Sequence, residues 1–231
     1  MIITTWNIRH GGGTRINQLN KVFENYSSDV FIITEFRNNK NKQLIEQNLR
    51  EIGYNHFAYS ESLPNINTIM IASKESIQIE YFEELKENKQ RIIKVKCNGL
   101  FIYGCYFPQQ YLKKPVFEFL ISELKKHNGK DVVMMGDFNT GKHYIDENKS
   151  SFYCSNYLDK MEENGVIDAW RFINKDKREF SWYSNAGNGF RIDHCFISHS
   201  LKNNVSNCFY IHDVREKKYS DHSLMSIKLK L

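Results

Sequence analysis

Two stretches of the sequence, Asp29-Val30-Phe31-Ile32-Ile33-Thr34 and Asp131-Val132-Val133-Met134-Met135, do most to limit what the chain can fold into. Each is short, almost wholly apolar and without alternation, as in strands covered on both faces. Each also stops at a residue that can carry chemistry, Glu35 in one case and Gly136-Asp137 in the other. Helical spacing separates such runs: Ile16, Leu19, Val22, Phe23 and Tyr26; then Leu44, Ile45, Leu49 and Ile52; then Val116, Phe117, Leu120, Ile121 and Leu124. Ser151 to Glu163 reads as a fourth helix. Further strands are expected at Ile2–Ile8, Thr68–Ala72, Ile77–Phe82, Arg91–Lys96 and Leu100–Tyr106. In the last third, strands crowd together at Phe180–Tyr183, Arg191–Ser198, Asn207–Ile211 and Ser223–Leu231. Helices that alternate with strands early and give way to strands late predict an α/β fold with a mixed sheet system covered by helices, rather than an all-parallel barrel.

The chain has 231 residues, 41% of them hydrophobic and 14% aromatic, enough to bury a core and to argue against intrinsic disorder. No apolar run approaches the roughly 18 to 20 residues that span a bilayer, and the first residues do not read as a signal peptide. A cytoplasmic location without membrane attachment is expected. The five cysteines (Cys97, Cys105, Cys154, Cys195 and Cys208) form no CxxC pair and read as reduced thiols. The net charge of +5 permits a polyanionic partner without requiring one. Charge-rich stretches such as Glu83–Lys89 and Arg215–Lys218 read as solvated turns.

Polar residues gather where the expected strands end. Asn7 ends the first and Glu35 the second. Gly136-Asp137-Phe138-Asn139 follows the Val132–Met135 run, Asp193 interrupts an apolar strand, and Ser220-Asp221-His222 precedes the last one. Singly, each is also what a turn would contain. Asp193 is the exception, because a carboxylate inside an apolar strand needs a partner, and His222 would serve. Together, Glu35, Asp137, Asp221 and the amide oxygens of Asn7 and Asn139 are hard oxygen donors, which suit Mg²⁺ or Mn²⁺ better than Zn²⁺. A hard cation, a carboxylate beside a water and a His–Asp pair describe metal-assisted phosphoryl hydrolysis.

In this order the motifs resemble those of the endonuclease/exonuclease/phosphatase superfamily, from residue 4 to the C-terminus. Thr5-Trp6-Asn7, Thr34-Glu35, Gly136–Asn139, Arg191-Ile192-Asp193 and Ser220-Asp221-His222 each match. Tyr106-Phe107-Pro108 followed by Gln109 is similar to the bacterial abasic-site endonucleases, as is Phe180-Ser181-Trp182. The resemblance implies a four-layered α/β sandwich, two packed mixed sheets flanked by helices, in a single domain over 1–231. It implies Mg²⁺, with Mn²⁺ as a substitute, held by Glu35, Asn7 and Asp221. It implies Asp137, Asn139, His222, Asp193 and Tyr106 as catalytic residues, and Arg37, Gln109, Trp182 and Phe190 as contacts to substrate. Ile192 joins Trp182 and Phe190 as a pocket candidate.

The sequence departs from the repair enzymes at several points. Gly104 replaces an Asn, Arg37 stands for a Lys, Gly11-Gly12-Gly13 follows the first strand, and only seven residues separate Trp182 from Phe190. The catalytic set is complete while the substrate-reading loops are trimmed. The expected activity is therefore phosphodiester hydrolysis on a nucleic acid, DNA first, by a monomer. The alternatives are a phosphoesterase of small molecules or lipid headgroups, and a non-catalytic binding module. A long positive bank of Arg9, Arg15, Arg37 and Lys113 or Lys114 would favour nucleic acid.

Overall fold

The buried runs do become central strands. The computed structural model describes residues 1–127 and 129–231. Strands β1 (Ile2–Asn7), β2 (Val30–Phe36), β3 (His56–Tyr59), β4 (Thr68–Ser73), β13 (Val205–Ile211) and β14 (Leu224–Leu229) form one sheet, ordered β13-β14-β1-β2-β4-β3. Strands β5 (Gln78–Glu80), β6 (Ile92–Cys97), β7 (Leu100–Tyr106), β8 (Val132–Asp137), β9 (Val166–Asp168) and β12 (Asp193–Ser198) form a second, ordered β5-β6-β7-β8-β12-β9. The two-residue strands β10 (Trp182–Tyr183) and β11 (Gly189–Phe190) pair as a small hairpin.

Each sheet is antiparallel except for one central parallel pair, β1 with β2 and β7 with β8. A parallel pair needs a crossover. Helix α1 (Ile16–Asn25) supplies it in the first sheet and α3 (Lys114–Lys126) in the second; α2 (Asn41–Glu51) follows β2. The C-terminal ends of a parallel pair open at the same edge. Asn7 and Glu35 therefore emerge together from one sheet, and Tyr106 and Asp137, which are register partners, from the other.

The core divides into three. Between the sheets lie Ile3, Ile32, Ile69 and Ile71 against Ile93, Ile102, Val133 and Met135. Outside the first sheet, Leu19, Phe23, Ile45 and Leu49 of α1 and α2 cover Trp6 and Phe31. Outside the second, α3 and α4 (Asn156–Glu163) bring Phe117, Leu120, Leu158 and Met161 onto Tyr103 and Met134. Helix, sheet, sheet and helix thus make the expected four-layered sandwich. Gly136 is what lets β8 lie so close to β7, because a Cβ there would fall 1.9 Å from the carbonyl oxygen of Cys105. Gly104 allows the sheets to meet: its Cβ would touch Ile32, Ile69 and Ile93 at 3.0–3.1 Å.

The structure departs from the sequence expectation in several places. Strands β3, β9 and β11 and the short helix α5 (Ala169–Asn174) were not foreseen, none being longer than six residues. Strand β12 begins at Asp193, not Arg191. Ser151–Ser155 is not helical: the buried carboxylate of Glu147 accepts from the backbone N–H of Ser151 at 2.7 Å and of Phe152 at 3.1 Å. Those amides are held in a loop, and the helix starts only at Asn156. Among the described residues, no helix is long and apolar enough to cross a membrane.

Candidate active site

Where the two parallel pairs end, a cleft of about 340 Å³ opens. Glu35, Asp137, Asn139, Asp221 and His222 line it, with Gln109, Trp182, Phe190 and Ile192 around them. Eight of the twelve site residues expected from sequence thus border one space, and the other four stand behind it.

Glu35 sits at a β-bulge: β2 pairs with β4 up to Thr34 and resumes at Phe36, leaving Glu35 as the extra residue with φ +52°. A bulge re-aims a side chain that a regular strand would send elsewhere. Its carboxylate accepts from Asn7 Nδ2 at 3.1 Å, the His10 N–H at 2.9 Å and Asn67 Nδ2 at 3.0 Å. Asn7, fully buried, donates its amide also to Asp137 Oδ2 at 3.0 Å, while its own oxygen accepts from the Arg9 N–H at 2.9 Å. The Asn7 amide nitrogen thus ties the Glu35 and Asp137 carboxylates together.

Asp137 is 1% exposed. Burial pushes its carboxyl up to about 7, against the pull of His222. Asn139, in a left-handed turn at φ +49°, steadies it through an N–H to Oδ1 contact of 2.9 Å. Asn139 is itself fixed by donation to Phe107 O at 2.8 Å and by acceptance from Gln109.

His222 Nδ1 lies 2.8 Å from Asp193 Oδ2, and its Nε2 is 4.0 Å from Asp137 Oδ2. Burial alone would depress the imidazole; the Asp193 carboxylate overrides it and raises the group to about 10. The buried Asp193 thereby finds the partner that its position in a strand demanded. Asp221 is more open and accepts from Trp182 Nε1 at 3.3 Å. Two bonds knit its loop to the end of β1: Ser220 Oγ donates to Asn7 O at 2.6 Å and Trp6 Nε1 to His222 O at 3.3 Å. Asp137, Asp193 and His222 are the one close group of potential ligands among the described residues. In that group the imidazole and Asp193 already satisfy each other; Glu35 and Asp221 are further hard oxygen donors lining the cleft.

Tyr106 stands behind Glu35. Its hydroxyl accepts from Asn67 Nδ2 at 3.2 Å, and burial, then Glu35, raise it to about 12. Arg37 does not line the cleft. It donates to Asn67 Oδ1 at 2.5 Å and meets His10 Nδ1 at 3.0 Å, and so braces the Asn67–Glu35 contact. The other expected cations are also largely internal. Arg15 donates to the carbonyls of Ile8 at 3.0 Å and Arg9 at 2.8 Å. Lys113 is 1% exposed and donates to Asn139 O; burial lowers its ammonium to about 8. The Gly11 and Gly13 carbonyls accept from Asn41 Nδ2 at 3.0 and 2.9 Å, so the glycine run is a fixed turn. Arg9 does reach the surface, beside Asp221, where Arg215, Lys218 and Tyr183 join it around a concavity of about 250 Å³. Arg215–Lys218 is thus part of the site's rim rather than only a solvated turn.

Sequence reading missed Asn67 and the pair Phe152 and Tyr153, which complete the aromatic wall facing Trp182 and Phe190. Asn67 lies just before β4 in a stretch without periodicity. Phe152 and Tyr153 lie where the sequence predicts a helix. Lys113 was expected on an exposed bank and is buried instead.

The endonuclease/exonuclease/phosphatase family model matches residues 4–222. No curated relative matches the sequence. Several solved structures share the fold along their whole length. An AP endonuclease from Archaeoglobus fulgidus superposes with a TM-score of 0.87 at 21% identity, each chain covered in full. The Neisseria meningitidis protein NExo, described as a 3'-5' exonuclease, gives 0.84 at 19%, again with both chains fully covered. NExo described as a 3' phosphatase, bound to product DNA hairpin, gives 0.84 at 18% with the same coverage. With its motifs in order, its strand ends converging on one cleft and the family model spanning residues 4–222, this chain belongs to the endonuclease/exonuclease/phosphatase family of hydrolases that act on phosphate esters.

Proposed function

We propose that this protein is a Mg²⁺-dependent phosphodiesterase acting on nucleic acid, DNA first, with residues 1–231 working as one catalytic unit. The observation that carries the reading is the convergence on one cleft of Glu35, Asp221, an Asp137 held by Asn139 and a His222 held by Asp193; burial raises the Asp137 carboxyl to about 7, and Asp193 raises the His222 imidazole to about 10. A carboxyl poised near neutrality is suited to proton transfer, and an imidazole that keeps its proton is suited to donate to an anion.

The donor chemistry fits the metal. Glu35, at the bulge in β2, and Asp221, on the loop before β14, are hard oxygen donors on the same cleft, with no thiolate among its lining residues. When bound, Mg²⁺, or Mn²⁺ in its place, supplies positive charge against a phosphate oxygen and the leaving oxygen. Asp137, held by Asn139 and Asn7, positions the attacking water and takes its proton. His222, oriented by Asp193, donates from Nε2 to the phosphate as charge builds on it. Tyr106, its hydroxyl set by Asn67, contacts the same phosphate. Water's oxygen forms the new bond to phosphorus while the bond to the leaving oxygen breaks.

Two features favour a polynucleotide over a small ester. The rim cations Arg9, Arg215 and Lys218 extend the site beyond one phosphate. The solved relatives named above include one bound to product DNA. Trp182, Phe190 and Gln109 would then border the sugar and base next to the scissile bond.

The test is turnover with Mg²⁺ on abasic duplex, intact duplex, single-stranded DNA and a panel of phosphomonoesters. Cleavage of at least one nucleic acid is expected. Turnover of a headgroup phosphate with no nucleic acid cleaved would overturn the reading.

A further inference from the structure

Beside the catalytic cleft lies a second groove of about 590 Å³, and Phe152 and Tyr153 line both. Its outer lip is a tyrosine pair, Tyr111 and Tyr153, edge to face with ring centroids 4.7 Å apart. These rings are 71% and 41% exposed, which is unusual for aromatic residues packed on each other. An edge-to-face pair leaves ring faces uncovered for a third π-system.

The pair is held firmly. Tyr111 belongs to a 3₁₀ turn, Gln110–Lys113, which the buried Lys113 locks onto Asn139 O. Tyr153 is tied to the next residue of the same segment, because Thr140 Oγ1 donates to Tyr153 O at 2.8 Å. The buried Glu147 folds the loop that leads into it. Both tyrosines are therefore fixed to the chain that leaves Asp137. A platform built this way presents its rings at a set distance from the reacting phosphate.

Resting on the phosphodiesterase reading, we propose that Tyr111 and Tyr153 form a stacking subsite for an unpaired base of the strand whose phosphate lies in the cleft. Bases in a duplex are stacked on each other and cannot offer their faces to a side platform, whereas every unpaired base has a free π-face. The substrate would then be single-stranded or frayed beside the scissile bond. The groove continues past His143 and Asn156 to Lys142, whose ammonium is paired with Asp159 at 2.9 Å and Glu162 at 2.7 Å, so the rings and not a cation would hold that nucleotide.

The experiment is fluorescence anisotropy of a 5'-labelled single-stranded oligonucleotide in EDTA, with oligonucleotide cleavage in Mg²⁺ measured in parallel. Tyr111→Ala with Tyr153→Ala should weaken binding about 10-fold or more, the usual size of a lost stacking contact, while the two Phe replacements keep wild-type affinity. A single abasic spacer moved along the oligonucleotide should, at one position, weaken the wild type by the same factor and leave the double alanine variant unaffected. Tyr81→Ala, another exposed tyrosine, is the control and should change neither. Alanine variants that bind like wild type, or losses from spacer and variant that simply add, would overturn the stacking subsite while wild-type cleavage leaves the phosphodiesterase reading intact. A wild type that neither binds nor cleaves any oligonucleotide overturns both.

Discussion

The floor and the walls of the cleft are built by different means. The floor consists of strand ends: Asn7, Glu35, Asp137, Asp193 and the loop entering β14. Its side chains are mostly buried and bonded to one another, so their positions follow from the sheets beneath them. The walls, Phe152, Tyr153, Trp182 and Phe190, stand on loops and a hairpin of two-residue strands, held by long-range contacts such as Trp182 Nε1 to Asp221 Oδ2. The difference teaches where chemistry and selection reside. A floor fixed by two sheets can hold the Asp137 carboxyl and the His222–Asp193 pair in one geometry, whereas walls on loops can vary without disturbing them.

Substitutions can break this division, and the largest effect is expected on the floor. Asp137→Asn should leave the melting temperature within a few degrees of wild type and lower kcat about 1,000-fold, within the range of general base removal; a melting curve and a turnover assay check both. Asp193→Asn should cost about 100-fold, because it unsettles the orientation and charge of His222 rather than removing a reacting group. A rate within about two-fold of wild type would remove His222 from the mechanism. Trp182→Ala, on the wall, should weaken substrate binding about 10-fold, read as a rise in KM.

The smallest effect on turnover, and the clearest on stability, is expected beneath the wall. Arg191, 1% exposed, pairs with Asp146 at 2.7 Å and Asp168 at 2.6 Å, and so clips the Phe152 loop to β12. Burial would raise the Asp168 carboxyl, but the Arg191 guanidinium holds it well below the usual carboxylate range. A depressed carboxyl contributes stability that is full above the unfolded-state value, about 4, and lost as the pH falls toward the folded-state value. Asp168→Asn should destabilise the protein by about 3 kcal/mol at pH 7. It should also flatten the loss of stability on acidification below about pH 4. Denaturant midpoints at pH 7 and pH 3 measure the difference.

The same division explains what the sequence made legible. Buried β-branched runs announce strands, and a polar residue at the end of such a run announces itself. Glu35, Asp137, Asp193 and the Asp221-His222 pair could therefore be placed at strand ends, and a mixed sheet system covered by helices with them; the four layers followed from the family resemblance. What escaped depends on contacts distant in sequence. Asn67 reaches Glu35 across 32 residues and Tyr106 across 39. Lys113 is buried against Asn139 O, 26 residues on. Locally, a side chain that competes for amides is equally hard to foresee: Glu147 takes the Ser151 and Phe152 N–H groups from the helix that the spacing of Ser151–Glu163 suggests. Asn7 shows a subtler limit: its position was legible, but which end of its amide faces the carboxylates is set by the Arg9 N–H. Cations expected on a bank, Arg15 and Lys113, turned out to be bonded to backbone carbonyls, while the charge-rich Arg215–Lys218 turn took that place on the rim.

The central claim, a floor that hydrolyses phosphodiesters with a hard metal held by Glu35 and Asp221, is tested most directly by single-turnover cleavage of a labelled single-stranded oligonucleotide across a Mg²⁺ titration, with wild type and Glu35→Gln side by side. The account predicts no cleavage in EDTA, saturable recovery with Mg²⁺ for the wild type, and a titration displaced about 10-fold or more to higher Mg²⁺ for Glu35→Gln, as loss of a charged ligand requires. Cleavage undiminished by EDTA, or a Glu35→Gln titration that overlays the wild type, would contradict it.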